Sequence, residues 1–87
     1  MKNNYVIKFS KLAIKDIEKL KKAKLYDNCQ IILDKMLQDP FCYPPSYEKL
    51  VGDLSGFYSR RINRQHRIVY KIIENEIRIY RMWTHYE

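Results

Sequence analysis

The chain has 87 residues, enough for one domain with a two-layer core and too few for a second lobe around a buried cofactor. Its 17 lysines and arginines outnumber 10 acidic residues, and the net charge of +7 predicts attraction to nucleic acid, an acidic membrane surface or an acidic protein. The two cysteines and two histidines lack the spacing of metal ligands, so we expect free thiols and no metal or other cofactor.

The chain also lacks the hydrophobic segments that membrane insertion or export requires. It contains no apolar run long enough to span a bilayer and no charged-then-apolar leader. A lysine-rich helix near the N-terminus could lie on a membrane surface, but its apolar stripe is narrow and lacks tryptophan. We therefore expect a single cytoplasmic domain over residues 1–87 that does not bind membranes.

The first half of the chain predicts a strand followed by two helices. Tyr5–Phe9 alternates in the way of a strand, and Ser10 is a suitable N-cap for the helix that follows. Apolar residues recur every three or four positions from Lys11 to about Lys24 and again over Tyr26–Leu37. The second helix must end before Pro40, because the residue preceding a proline avoids helical backbone angles. The short connection predicts an antiparallel helix hairpin.

The second half predicts a loop and then a β-meander. Phe41–Gly52 is proline-rich and is expected to be a loop that crosses to the sheet, carrying Glu48. Three strands follow, separated by polar turns: Phe57–Ile62, Arg67–Ile73 and Ile77–Trp83. The predicted fold class is therefore α+β, with an N-terminal strand and a two-helix hairpin packed on an antiparallel sheet that a C-terminal three-stranded meander completes.

The arginines are concentrated in this meander. All six lie between residues 60 and 81, whereas nine lysines and no arginine precede residue 40. No acidic residue occurs between Asp53 and Glu74, so the arginines of the first two strands and their turn carry unbalanced charge. The planar guanidinium matches the oxygens of a phosphate group better than a lysine ammonium does. The pattern predicts an anion-binding surface.

The last predicted hairpin should bring the chain's end beside this surface. With a three-residue turn at 74–76, Arg67 would pair with Trp83 and lie diagonal to His85. With a two-residue turn, Arg67 would share a face with Thr84 and Tyr86. No glycine specifies the turn type, so the register stays open. In both registers the terminal His85 and Tyr86 lie next to the arginine strand.

Several short motifs occur in a characteristic order along the whole chain. They are Ala13 and Asp16 on the first helix, Pro40-Phe41, Glu48 with Leu50, Leu54-Ser55-Gly56 before an aromatic residue, Ser59-Arg60-Arg61-Ile62, His66-Arg67, Val69-Tyr70 and a terminal His85-Tyr86. This set resembles the Txe/YoeB family of bacterial toxins in the RelE superfamily. The resemblance implies a fold like that of microbial ribonucleases, cleavage of messenger RNA on the ribosome, and neutralisation by an antitoxin of the YefM or Phd type with an acidic C-terminal segment. A homodimer is a further possibility.

The resemblance also implies roles for individual residues. Glu48 matches the general base, Arg67 the phosphate-stabilising arginine, His85 the general acid and Tyr86 the substrate-positioning tyrosine. RNA supplies its own 2′-hydroxyl nucleophile, so a base, an acid and a fixed cation suffice without a metal ion. The predicted products are a 2′,3′-cyclic phosphate and a 5′-hydroxyl.

The remaining basic residues are assigned to binding. Arg60, Arg61, Arg64 and His66 are expected to contact RNA, the ribosome or an acidic partner. His66 is also the rival of His85 for the role of acid, although a structural or phosphate-contacting role in the turn is favoured. Two other functions stay open from the residues: a non-catalytic RNA- or ribosome-binding module, and a basic protein that binds an acidic disordered segment.

Overall fold

A computed structural model describes residues 5–43 and 46–83. Within these residues the secondary structure consists of β1 (Val6–Phe9), α1 (Lys11–Lys22), α2 (Tyr26–Gln38), β2 (Tyr47–Lys49), a 3₁₀ turn (Gly52–Leu54), β3 (Tyr58–Arg61), β4 (Arg67–Ile73) and β5 (Glu76–Arg81). No helix in this described part is long and apolar enough to cross a membrane.

The described strands form one five-stranded sheet in the order β1-β5-β4-β3-β2. β1 runs parallel to β5, and the other neighbouring pairs are antiparallel. The helix hairpin packs on one face of this sheet. The predicted α+β class is confirmed. The expectation of a wholly antiparallel sheet is wrong for β1 and β5, which pair in parallel because the two helices and three strands between them bring the chain back to the same end of the sheet.

The core lies between the two helices and one face of the sheet. Leu20, Leu33 and Met36 come from the helices and are buried. Alternating side chains of β4 and β5 meet them from the sheet: Ile68, Tyr70, Ile77 and Ile79. The helical periodicity correctly identified the buried stripes, but Leu12 and Ala23, which follow the same three- and four-residue spacing along the first predicted helix, are exposed.

The ends of the helices follow the predicted signals. The Ser10 hydroxyl accepts a hydrogen bond from the Ala13 amide at 3.0 Å, which confirms it as the N-cap, and donates one to the Tyr80 carbonyl at 2.6 Å. The helix α1 ends two residues earlier than predicted, and Lys24 takes a positive φ of 61° in the connection. The helix α2 ends at Gln38, and Asp39 is extended before Pro40 as predicted.

The last hairpin combines the two predicted registers. Ile73 pairs with Glu76 across a two-residue turn in which Glu74 adopts a positive φ of 55°. A bulge at Tyr80 then shifts the pairing, so that Val69 lies opposite Arg81 as the three-residue alternative required. Each register therefore applies to one part of the hairpin.

The predicted loop between α2 and β3 contains a strand. Residues Tyr47–Lys49 pair antiparallel with Tyr58–Arg61 and form the sheet edge as β2. The expectation of a loop over Phe41–Gly52 is wrong for these three residues, because so short a strand is specified by its partner strand and not by its own pattern. The pairing has a functional consequence, since it fixes Glu48 opposite Ser59.

Candidate active site on the open face of the sheet

Strand alternation places three predicted site residues on the sheet face opposite the helices. Glu48 of β2 pairs with Ser59 of β3, and two positions further along β3 Arg61 pairs with Arg67 of β4. Directly paired residues and those two positions apart point to the same side of a sheet. Glu48, Arg61 and Arg67 consequently share the open face, whereas the alternate residues point into the core.

Arg67 and Glu48 are in direct contact on this face. The Arg67 Nη1 donates a hydrogen bond to Glu48 Oε1 at 2.8 Å and a longer one to Ser59 Oγ at 3.4 Å. The side chain of Arg67 is 18% exposed and that of Glu48 is 67% exposed. The cation is thus held within the surface while the carboxylate remains open to solvent, so a ligand can approach both.

Two further arginines extend the basic surface. Arg61 is exposed and lines an open depression together with Ser46, Glu48 and Ser59. Arg64 is exposed in the turn between β3 and β4. The predicted RNA-contacting positions Arg61 and Arg64 are therefore accessible, and Arg61 lies beside the predicted base.

Arg60 is placed differently from its neighbour. It is 1% exposed and lies on the core side of β3, where its Nε donates to the Tyr70 hydroxyl at 3.1 Å and its Nη2 to the Pro40 carbonyl at 2.9 Å. Burial raises the pKa of Tyr70 to about 12, although the Arg60 charge acts in the opposite direction, so that hydroxyl stays neutral. The structure corrects the prediction that Arg60 contacts RNA, because a buried guanidinium cannot reach a ligand on the open face.

His66 is also largely buried. Its ring stacks on that of Trp83, with centroids 3.8 Å apart and an interplanar angle of 18°. Its amide donates to Asn63 Oδ1 at 2.8 Å, and its carbonyl accepts from the Ile62 amide at 2.8 Å. These contacts favour the structural role over a direct phosphate contact or acid catalysis, because a stacked and buried imidazole offers little surface to substrate.

The other two predicted catalytic residues, His85 and Tyr86, lie outside the described residues.

The last two described residues, Met82 and Trp83, are held in place by Asp16 of α1. Asp16 is 1% exposed, and its Oδ2 accepts hydrogen bonds from the Met82 amide at 2.9 Å, the Trp83 amide at 3.2 Å and Arg81 Nε at 2.9 Å.

We did not predict from the sequence that Asp16 would anchor the end of β5 and the two residues that follow it. The signal was available in the spacing, since Asp16 lies between Ala13 and Leu20 on the buried stripe of α1. A carboxylate on such a stripe must find donors inside the protein, because an unpaired buried charge is costly.

The cysteines lie apart from this site. Both are free thiols, as predicted. Cys29 is buried under Met82, and burial raises its pKa from 9.0 to about 12. A thiol that stays protonated is a poor nucleophile, so Cys29 belongs to the core.

Comparison with known proteins identifies the family. Residues 9–86 match the model of YoeB-like toxins of bacterial type II toxin–antitoxin systems. The chain is 36% identical over 64 residues to the Toxin YoeB of Synechocystis sp., an alignment covering 74% of each protein.

Solved structures agree with this result. The fold superposes with a TM-score of 0.81 and 32% identity on a chain of a YoeB-YefM complex from Staphylococcus aureus, covering 94% of this chain and 98% of that one. It superposes with a TM-score of 0.82 and 31% identity on the YoeB dimer from the same organism, covering 95% and 99%. The chain belongs to the YoeB-like toxins of bacterial type II toxin–antitoxin systems.

Proposed function

We propose that this toxin is a ribosome-dependent endoribonuclease that cleaves messenger RNA without a metal ion. The observation that carries the proposal is the 2.8 Å contact between Arg67 and Glu48 on the open, basic face of the sheet. In this contact the Glu48 carboxylate, which can remove a proton, lies next to the Arg67 guanidinium, which can bind a phosphate group. The membership of the YoeB-like family supports the same activity.

The proposed reaction is a transfer within the RNA strand. Glu48 removes the proton of a 2′-hydroxyl, the 2′-oxygen forms a bond to the adjacent phosphorus, and the bond from phosphorus to the 5′-oxygen breaks. His85 donates a proton to that leaving oxygen, and Tyr86 orients the substrate. The products are a 2′,3′-cyclic phosphate and a 5′-hydroxyl. Each acid or base group contributes about 10²- to 10⁴-fold to such reactions.

Arg67 stabilises the charge that develops on the phosphate. A guanidinium has five N–H donors and remains protonated, so it can hold Glu48 and a phosphate oxygen at the same time. The hydrogen bonds to Glu48 and Ser59 fix its orientation before substrate arrives. A cation that is already oriented gives the largest gain in the transition state, because no reorganisation is needed then.

Arg61 and Arg64 hold the RNA or the ribosome. Both are exposed beside or near the pair formed by Glu48 and Arg67, and phosphate contacts position a nucleic acid without reading its sequence. The same arginines can accept the acidic segment of an antitoxin. The Staphylococcus aureus relatives form a complex with YefM and a dimer, and we extend both assemblies to this chain as proposals. Action on the ribosome would take place in the cytoplasm.

Induced expression in a bacterial host with mapping of transcript 5′ ends tests the proposal. We expect new ends within open reading frames, in phase with codons, and far fewer of them with Glu48→Gln, because loss of a general base lowers the rate by about 10²- to 10⁴-fold. Growth arrest with intact transcripts would instead support a non-catalytic RNA- or ribosome-binding module. Absence of both effects, with retained binding of an acidic peptide, would support a partner-binding protein alone.

A further inference from the structure

Arg60 contacts both ends of the segment that leads to Glu48. Its Nη2 donates to the carbonyl of Pro40, where the segment begins. Its guanidinium carbon lies 4.8 Å from the centre of the Tyr47 ring, where the segment ends. One buried side chain therefore fixes the beginning and the end of the connection from α2 to β2.

The same guanidinium connects this segment to the middle of the sheet. Its Nε donates to the hydroxyl of Tyr70, which is fully buried in β4. The Tyr47 ring is also packed against Phe41 and Tyr58, with centroid distances of 5.8 Å to each. The core side of β2 is thus held by an aromatic cluster with a charged group at its centre.

Glu48 depends on this arrangement because its own side chain makes few contacts. β2 has three residues and lies at the edge of the sheet, so the ladder to β3 gives it little rigidity. Glu48 follows Tyr47 directly and points to the opposite face. Any displacement of Tyr47 in the core consequently moves the carboxylate relative to Arg67.

We propose that Arg60 is a positioning residue that holds Glu48 in register with Arg67. This role builds on the proposed catalytic function and does not require Arg60 to touch RNA. Arginine is needed because its planar fork donates in two directions at once, to Tyr70 and to Pro40, while its face covers Tyr47. A lysine ammonium at the same position keeps the charge but cannot reproduce the planar fork.

A double-mutant cycle separates positioning from a general loss of structure. The variants are Arg60→Lys, Glu48→Gln and their combination, with Arg78→Lys as the matched control on the exposed side of β5. Cleavage of messenger RNA on purified ribosomes is measured as kcat and KM, at a temperature where circular dichroism shows each variant to be folded. Antitoxin-free, full-length toxin is used throughout.

We expect Arg60→Lys to lower kcat by about 10- to 100-fold with little change in KM, because a misplacement of about 1 Å has effects of this size. In the Glu48→Gln background the same substitution should have almost no further effect, since no carboxylate remains to be positioned. Arg78→Lys should leave kcat unchanged in both backgrounds. Equal losses from Arg60→Lys in both backgrounds would overturn the positioning role and leave the proposed function intact.

A second variant makes the test independent of folding problems at Arg60. Tyr70→Phe removes the hydroxyl that accepts from Arg60 Nε and changes the core less. Its cycle with Glu48→Gln should show the same non-additive pattern with a smaller loss of kcat, and an additive pattern would again overturn the role. If Glu48→Gln alone left kcat unchanged, Glu48 would not be the general base. The proposed mechanism and the positioning role of Arg60 would then both be refuted.

Discussion

Arg67 Nη1 on β4 donates a hydrogen bond of 2.8 Å to Glu48 Oε1 on β2, across the intervening strand β3. The two residues are 19 positions apart in sequence and meet because the edge strand pairs with β3 in one specific register. The contact places the proposed base and the proposed phosphate-binding cation together. It is the relationship on which the proposed activity depends.

Arg67→Gln should reduce cleavage far more than stability. Loss of a preoriented cation costs about 10²- to 10³-fold in the rate of comparable reactions. The ion pair is partly exposed, so the free energy of unfolding should change by less than about 1 kcal/mol. Ribosome-based cleavage and urea denaturation measure the two effects. Arg78→Gln, at an exposed ion pair with Glu76, serves as control, and an equal loss of activity there would contradict the assignment.

The two histidines should respond in opposite ways to substitution by alanine. His66→Ala removes a buried ring that stacks on Trp83, and should lower the free energy of unfolding by about 1–3 kcal/mol. His85→Ala should leave the unfolding free energy nearly unchanged and reduce cleavage by about 10²-fold or more. Thermal denaturation measures the change in stability of both variants, and cleavage of messenger RNA on ribosomes measures the change in their activity. A stable, inactive His66→Ala together with an active His85→Ala would reverse the assignment of the acid.

Asp16→Ala should be strongly destabilising. The buried carboxylate accepts hydrogen bonds from Arg81 and from the amides of Met82 and Trp83, and its loss leaves these donors without their acceptor. Each buried donor left without an acceptor costs about 1–3 kcal/mol, and the amides of Met82 and Trp83 share this carboxylate. The exposed Asp34, which accepts from Gln30 on α2, provides the matched control, and Asp34→Ala should stay within about 0.5 kcal/mol of wild type. Similar unfolding midpoints for the two variants would refute the role of Asp16.

The buried Cys29 should make the protein less stable at alkaline pH. Its pKa is raised from 9.0 to about 12 in the folded state, so the unfolded chain loses this proton first as the pH rises. The folded state then binds more protons, and the free energy of unfolding falls between pH 9 and 12. Urea denaturation at several pH values should show a shallower fall for Cys29→Ala than for Cys42→Ala. Equal slopes for the two variants would show that Cys29 titrates normally.

Sequence patterns predicted most of the scaffold because local physics determines it. The helical stripes, the Ser10 cap and the stop before Pro40 depend on contacts within a few residues, and each was confirmed. The strand β2 forms because it pairs with β3, and no pattern within residues 47–49 predicts this pairing. The register of the last hairpin likewise depends on a bulge at Tyr80, where the chain turns toward Asp16.

The sequence predicted which residue types form the candidate site, but it predicted only in part on which face of the sheet each side chain lies. The adjacent Arg60 and Arg61 look equivalent in sequence, yet strand alternation sends one into the core and leaves the other exposed. For His66 the sequence left a structural and a phosphate-contacting role in the turn open, and the stacking on Trp83 favours the structural one. The positions of His85 and Tyr86 lie outside the described residues, so their roles stay predictions.

The central claim is tested most directly by the chemistry of the cut ends. Full-length toxin would be incubated with ribosomes that carry a defined messenger RNA, with and without a chelator, and with Glu48→Gln as control. The account predicts fragments that end in a 2′,3′-cyclic phosphate and begin with a 5′-hydroxyl, formed equally well in chelator and at least about 10²-fold more slowly with Glu48→Gln. Fragments beginning with a 5′-phosphate, or cleavage that the chelator abolishes, would contradict it.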